Sequence, residues 1–192
     1  MTPTGPAPEK DLWRKRLVKA RSEVSSEVRA AEAQALAEVA ASAVGWLGAT
    51  VCAYVPVGAE PGSAALLDAL RAAGRRVLLP IVTGREPLDW GVYFGTDSLV
   101  AGPYGLREPS GLRLGPGAVA NADAVLVPAL AVDRRGVRLG RGAGHYDRSL
   151  GGVTAPRIAV VRAEEFVERL PAEPHDVLMT AVLTPTGGLV RL

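Results

Sequence analysis

The sequence predicts an α/β fold, a single three-layer domain with a mostly parallel, Rossmann-like central sheet and helices at its N-terminus. Apolar runs such as TVCAYVPV, RRVLLPIV, DAVLVPALAV and RIAVVR lack polar alternation, and strands of that kind are usually covered on both faces. An amphipathic helical stretch separates the first two runs, and a long helical region precedes them all. With 192 residues and 48% hydrophobic content, the chain can bury a sizeable core.

Residues 1–8 are proline-rich and expected to fray, leaving 9–192 as the domain. From Glu9 onward Trp13, Leu17, Ala20 and Val24 recur at helical intervals and predict a first helix. Ser25 and Ser26 ahead of Glu27 read as an N-cap and a restart. The second helix is expected to turn Val28, Ala31, Ala35, Val39 and Ala43 to one side. After Gly48, TVCAYVPV is a strand ended by proline and glycine. SAALLDALRAAG is a helix closed by Gly74. RRVLLPIV, PLDWGVY, DAVLVPALAV and RIAVVR then follow as strands, and HDVLMTAVLT is expected to be the last. No internal repeat interrupts this order.

Composition excludes several classes. A formal net charge of +2 gives no strong attraction to nucleic acid. The lone Cys52 rules out an internal disulfide and sits in an apolar run, as a buried strand residue does. The opening MTPTGPAPEK has no apolar region of a secretory leader, and no stretch is long enough to span a bilayer. A cytoplasmic protein without a membrane partner is therefore expected. A monomer is expected, with no coiled-coil seam or other interface marked in the sequence to decide the oligomeric state.

The unusual stretch is RLGRGAGHYDRS, from Arg138 to Ser149. It follows a run expected to be a central strand, where α/β proteins place ligands. Gly140, Gly142 and Gly144 let backbone N–H groups approach an anion closely. Arg134, Arg135, Arg138 and Arg141 surround it, and guanidinium groups match phosphate oxygens. It is neither a Walker A loop nor a dinucleotide fingerprint. Composition alone leaves an anion site and a solvated basic turn equally open.

Other candidates are weaker singly. Lys10 and Arg14 share a helix face, which usually means a solvated surface. Glu60 lies in a loop after a strand. His145, His175 and Cys52 have no zinc-ligand spacing. Asp147 and Asp176 are a better pair for a hard cation such as Mg²⁺, although spacing alone does not bring them together. No G-x-S-x-G elbow supports a hydrolase.

In order along the chain, KDLWRKRL, YVPVGAEPGS, YGLREP, VPALAVDRRGVRLGRGAGHYDRSL and LPAEPHDVLMTAVLTP resemble the 5-formyltetrahydrofolate cyclo-ligase family, over Lys10 to Pro185. The long central motif is the specific one. The resemblance implies an ATP- and Mg²⁺-dependent enzyme that closes 5-formyltetrahydrofolate to 5,10-methenyltetrahydrofolate. It implies that Lys10 and Arg14 hold ATP phosphates. The loop of Arg138, Leu139, Gly140, Arg141, Gly142, Ala143, Gly144, His145 and Tyr146 wraps the nucleotide, with Arg141 as the catalytic group nearest the moving phosphoryl. Asp147 and Asp176 match Mg²⁺ positions. Val55, Glu60, Tyr104 and His145 match substrate-contacting positions, with Glu60 suited to the pterin N–H donors.

The sequence departs from the family at GHYD, where His145 replaces a usual tyrosine and Ala143 stands where glycine or lysine is common. VRAEEFVERLP also lacks an expected polar pair. Two alternatives stay open: another ATP-dependent enzyme on the same scaffold, and a nucleotide- or RNA-binding module built on the arginine-rich turn. At 5% aromatic content the chain is poor in stacking platforms for single strands.

Overall fold

The computed structural model describes residues 6–192. Helices α1 (Pro6–Ser22), α2 (Ser26–Ser42) and α3 (Val44–Leu47) precede β1 (Thr50–Cys52). Helix α4 (Ala64–Ala72) leads to β2 (Arg76–Ile81), which turns back as β3 (Asp89–Val92), and β4 (Leu99–Ala101) with β5 (Arg107–Pro109) forms a ribbon. Then come β6 (Ala124–Pro128), β7 (Ala131–Asp133), β8 (Arg138–Leu139), α5 (His145–Leu150), β9 (Arg157–Val160), β10 (Phe166–Val167), β11 (Ala181–Thr184) and β12 (Gly188–Arg191).

The central sheet has the order β12-β11-β9-β6-β1-β2-β3. β11, β9, β6, β1 and β2 run parallel, and antiparallel β12 and β3 close the two edges. The expected α/β architecture, mostly parallel with N-terminal helices, is present. Its three layers follow from the pleat, because successive residues of a strand face opposite sides. Val51, Val77, Leu79, Leu126, Ile158, Val160 and Leu183 join a core with Leu36, Ala40, Leu66 and Leu70 of α2 and α4. Cys52, Leu78, Val125, Val127, Ala159 and Val182 join a second core with Trp90, Val119 and Leu150. Both faces are covered, so alternation has nothing polar to show.

Several expectations change in detail. Helix α1 starts at Pro6, so Pro6–Pro8 are helical; residues 1–5 of the expected frayed segment lie outside the described residues. Proline fits a first helical turn because its missing N–H has no partner there. The expected α2 face is rotated: Leu36, Ala37 and Ala40 are buried, while Val28 is exposed. HDVLMTAVLT supplies strand only at Ala181–Thr184, and a hairpin through Pro185–Gly187 adds β12.

The most consequential change concerns DAVLVPALAV. It is two strands in two sheets, β6 in the centre and β7 in a small sheet of order β10-β7-β8. The break falls after Pro128, and Arg21 from α1 donates to the carbonyl of Ala129 at 2.5 Å. Leu17 of α1 packs on Leu130, Ala131, Val137, Leu139 and Leu170 of this small sheet rather than on the central one. The first helix is thereby set at the carboxyl edge of the parallel strands.

Buried polar groups hold that unit. Arg21 Nε and Nη2 donate to Glu165 at 2.6 and 2.7 Å. Asp133 is fully buried. Its carboxylate accepts from the backbone N–H groups of Arg135, Val137 and Leu170 and from the Arg135 side chain. Burial alone would raise its pKa, but those donors outweigh it and hold it below the usual carboxylate value. Its folded-state pKa lies below the unfolded one, so its stabilisation is complete above about pH 4 and fades as the pH falls through the folded value. Asp133→Ala is expected to cost about 3 kcal/mol, since several buried donors lose their acceptor. In urea titrations the gap between the native chain and Asp133→Ala should stay constant from pH 8 to 5 and narrow below about pH 4; a gap that persists at acid pH would rule out the charged carboxylate as its source.

Candidate active site

A cavity of about 330 Å³ opens over the carboxyl ends of β6, β1 and β2. Tyr54, Val55 and Glu60 enter it from the segment after β1, Pro80 and Val82 from the end of β2, and Pro128 to Leu130 from the break after β6. One wall is the stretch from Arg138 through Asp147, which links β8 to α5. Another is Lys10 and Arg14 of α1 with Glu173, His175 and Asp176 from the segment before β11.

The cavity's cations are held by internal acids. Lys10 Nζ donates to Glu173 at 2.7 Å and to both oxygens of Asp176 at 2.9 and 2.8 Å. Burial pulls its pKa down, but the two carboxylates outweigh that and leave it above the ordinary lysine value. Arg138 Nη2 donates to both oxygens of Asp147 at 3.0 Å. Arg141 Nε donates to Glu60 Oε1 at 3.0 Å, while Glu60 Oε2 accepts from the Val57 N–H at 2.9 Å. Arg14 donates to the Gly140 carbonyl at 3.1 Å and pairs with Asp11 at 2.6 Å.

The loop's glycines have local reasons. Gly142 adopts φ +101° with the Arg14 guanidinium against it, and Gly144 adopts φ +68° just before α5. A Cβ at Gly144 would lie 2.7 Å from Arg148 Nη1 as well as forcing an L residue into a strained backbone. Behind the loop the Arg138 guanidinium lies 5.8 Å from the Tyr146 ring centroid. Arg138 Nε and Tyr146 Oη are buried without a hydrogen-bond partner among the described residues, a condition that native interiors rarely tolerate and that ligand sites often explain. Burial, and after it the Glu60 charge, push the Tyr146 hydroxyl far above its usual pKa, so it is a donor. Desolvation, then Arg148, hold His145 below the ordinary histidine value, so it is neutral at neutral pH.

Lys10, Arg14, Val55, Glu60, Arg138 to Tyr146, Asp147 and Asp176 all line this one cavity. Tyr104 does not: it is 82% exposed on an adjoining hollow and holds φ 58°. Arg134 and Arg135 also stand apart, in the turn between β7 and β8, paired with Glu168 and Asp133. Lys10 and Arg14, read as a solvated helix face, are instead buried and half-buried, Lys10 at 5% exposure. Sequence reasoning missed Tyr54, whose hydroxyl donates to the Pro61 carbonyl at 2.7 Å, and Glu173. Tyr54 was hidden in an apolar run, whereas the spacing of Glu173 and Asp176 around His175 was a visible signal. Cys52 is buried within β1, in the core on one face of the sheet, and desolvation pushes its thiol up to about 12, which leaves no thiolate for catalysis.

Glu173, His175 and Asp176 place one ligand atom each within 4.8 Å of one another. Asp147 lies outside that group, turned toward Arg138. The carboxylate oxygens are hard donors of the kind Mg²⁺ takes, and a phosphate can supply the rest of an octahedral shell. The Glu173 and Asp176 oxygens of this donor set suit a magnesium ion, and in the free protein both carboxylates are paired with Lys10.

A mostly parallel sheet, a cavity at its carboxyl edge and a glycine–arginine loop over it place the chain among α/β proteins with a ligand-sized site at the strand ends. Residues 6–185 match the 5-formyltetrahydrofolate cyclo-ligase family. The chain is 51% identical to the 5-formyltetrahydrofolate cyclo-ligase of Mycolicibacterium smegmatis, over 95% of this chain and 97% of that one. It is 30% identical to the enzyme of that name from Escherichia coli K12, over 71% and 78% of the two chains. It superposes on the solution structure of Aquifex aeolicus 5,10-methenyltetrahydrofolate synthetase with a TM-score of 0.76 at 28% identity, covering 95% and 92%. The chain belongs to the 5-formyltetrahydrofolate cyclo-ligase family. Among the described residues no helix is long and apolar enough to cross a membrane.

Loss of Lys10 should be felt in the free protein. Lys10→Met leaves two carboxylates facing each other, and breaking a buried pair this way costs about 3 kcal/mol. The expected fall in Tm is roughly 6–12 °C for a chain of this size; an unchanged Tm would mean that the triad does not fasten α1.

Proposed function

We propose that the protein converts 5-formyltetrahydrofolate to 5,10-methenyltetrahydrofolate with cleavage of ATP to ADP and phosphate. The observation that carries this reading is the convergence on one cavity of a phosphate-suited cation set, Lys10, Arg14, Arg138 and Arg141, with a pterin-suited carboxylate, Glu60. The activity of its relatives by name supports it.

The formyl group on N5 is an amide, unreactive because the nitrogen donates into the carbonyl. The formyl oxygen attacks the γ-phosphorus of ATP, an O–P bond forms, and the bond to the β-phosphate oxygen breaks to release ADP. N10 then attacks the formyl carbon, the carbon–oxygen bond breaks with phosphate as the leaving group, and the N10 proton is lost as the ring closes. Because N10 belongs to the same folate, alignment supplies much of the rate; such intramolecular reactions gain roughly 7–11 kcal/mol. The protein's share is to align the two substrates and to stabilise the charge spread over the moving phosphoryl. No protein nucleophile is needed.

In this reading Lys10 and Arg14 hold the phosphate end and Arg141 faces the transferring group. Arg138 Nε and Tyr146 Oη donate to nucleotide oxygens. Glu60 accepts from the pterin N–H groups once Arg141 has left it, and Tyr54 and Val55 form the wall beside it. Asp176 and Asp147 would hold Mg²⁺, with Glu173 as a further oxygen donor, and the ion would supply neutralisation of phosphate charge. Each cation–carboxylate pair of the free site thus exchanges for a ligand contact, which keeps every buried charge partnered at both stages.

The direct test is the absorbance of methenyl product from the purified chain with 5-formyltetrahydrofolate, ATP and Mg²⁺. Product that requires both ATP and Mg²⁺ is expected, and its absence from a folded, nucleotide-binding chain would move the search to other formyl compounds. Arg141→Ala should lower kcat about 10³-fold while changing the folate KM by less than about threefold, as loss of a charge that acts in the transition state does. A parallel loss in both would assign Arg141 to ground-state binding. Glu60→Ala should instead act on the folate KM, and unchanged kinetics would remove Glu60 from the pterin site.

A further inference from the structure

The turn that carries Glu60 is thinly supported. Residues 57–62 follow β1 and fold back on themselves: the Glu60 N–H donates to the Val57 carbonyl at 3.2 Å, and Glu60 Oε2 accepts from the Val57 N–H at 2.9 Å. Gly58 and Gly62 flank the acid and bring no side chain to wedge the turn in place. Glu60 lines the catalytic cavity, and the turn from Gly58 to Gly62 also lines a smaller hollow of about 170 Å³ with Arg29, Ala30 and Glu32 of α2. Open space beside a segment removes the atoms that would pack on it, so packing does little to fix where the carboxylate points.

Two hydrogen bonds tie the turn to the structure around it. Arg141 Nε reaches Glu60 Oε1 at 3.0 Å, and the Tyr54 hydroxyl donates to the Pro61 carbonyl at 2.7 Å. They differ in permanence. The Arg141 side chain is 54% exposed, and in the folate reaction it leaves Glu60 for the transferring phosphoryl. Tyr54 is buried and belongs to the core that α2 and α4 build on the sheet.

The Tyr54 hydroxyl is also a constant donor. Desolvation, and after it the Glu60 charge, lift it well above the ordinary tyrosine pKa, so it keeps its proton. The carbonyl it holds belongs to the residue directly after Glu60. A side chain locked in the core thus grips the backbone next to the acid, and this grip does not depend on Arg141.

We propose that Tyr54 is a positioning residue: by holding the Pro61 carbonyl, its hydroxyl keeps the Glu60 carboxylate aimed at the pterin N–H donors after Arg141 has let go. The proposal rests on the folate reaction above and deepens it. A carboxylate that accepts from N–H groups must be fixed in direction as well as in distance. The internal bonds of the turn fix its shape, and the Tyr54 bond fixes its place against the sheet. The hydroxyl acts on substrate only through Glu60.

The experiment uses Tyr54→Phe, which removes the hydroxyl and keeps the ring. The KM for 5-formyltetrahydrofolate is expected to rise about fivefold, the worth of one hydrogen bond. The kcat and the KM for ATP should stay within about twofold of the native values, since no transition-state charge is lost. In a Glu60→Ala background, where no carboxylate is left to aim, the same change should leave the folate KM where Glu60→Ala alone puts it. An unchanged folate KM in Tyr54→Phe overturns the proposal. So does an equal rise in the Glu60→Ala background, which would give the hydroxyl a substrate contact of its own, and so does a matching shift in the KM for ATP, which would make the effect a general loosening of the site. If 5-formyltetrahydrofolate is not turned over at all, the reaction itself fails, and amide hydrogen exchange in the free protein judges the tether separately. Exchange at Val57 and Glu60 that is about fivefold faster in Tyr54→Phe upholds it; exchange at the native rate overturns it.

Discussion

The site depends on one buried ammonium. Lys10, on the first helix, is clasped by Glu173 and Asp176 from the far end of the chain. That contact fastens α1 across the carboxyl edge of the parallel strands and so gives the cavity its outer wall. Helix α1 has little else to recommend this place: Leu12 and Val18 are exposed, and only Leu17 and part of Trp13 pack beneath it. Charged groups position the helix where hydrophobic burial alone would leave it loosely set. An arrangement of this kind is costly in desolvation unless every charge finds a partner, and here each of the buried ones does.

The same rule explains the rest of the cavity. Lys10, Arg14, Arg138 and Arg141 line one cavity, and cations set that close together repel. Placing Asp147 beside Arg138, Glu60 beside Arg141 and Asp176 beside Lys10 removes the repulsion. The small β10-β7-β8 sheet supplies the geometry: its β8 strand delivers the arginine loop, and the buried Asp133 pins the β7–β8 turn.

Much of the fold was legible because the parallel strands are buried on both faces, which leaves runs of Val, Leu and Ile that only a covered sheet accounts for. The central strands and α4 were readable on that ground. Less was legible where two rules competed. DAVLVPALAV reads as one strand because hydrophobicity does not record a change of sheet, and Pro128 was the sole mark of the break. The register of α2 failed because alanine is small enough for either side, so the pattern was nearly isotropic. In α1 the buried stripe runs Lys10, Leu17, Arg21, and two charges in three disguise it as surface. The glycine–arginine loop was visible as a candidate from composition, but its partners were not. Glu60 and Arg141 are separated by 81 positions, and only the fold brings them together.

The span between Lys10 and its partners, 163 residues to Glu173 and 166 to Asp176, has a consequence for the life of the protein. A nascent chain can lay down most of the central sheet while its first helix still lacks the acids that anchor it. Closing so long a loop is entropically costly until the sheet has shortened the distance. The outer wall of the cavity is therefore completed last in synthesis, after the segment before β11 has left the ribosome, and a truncated product that keeps the glycine–arginine loop has a cavity open on that side.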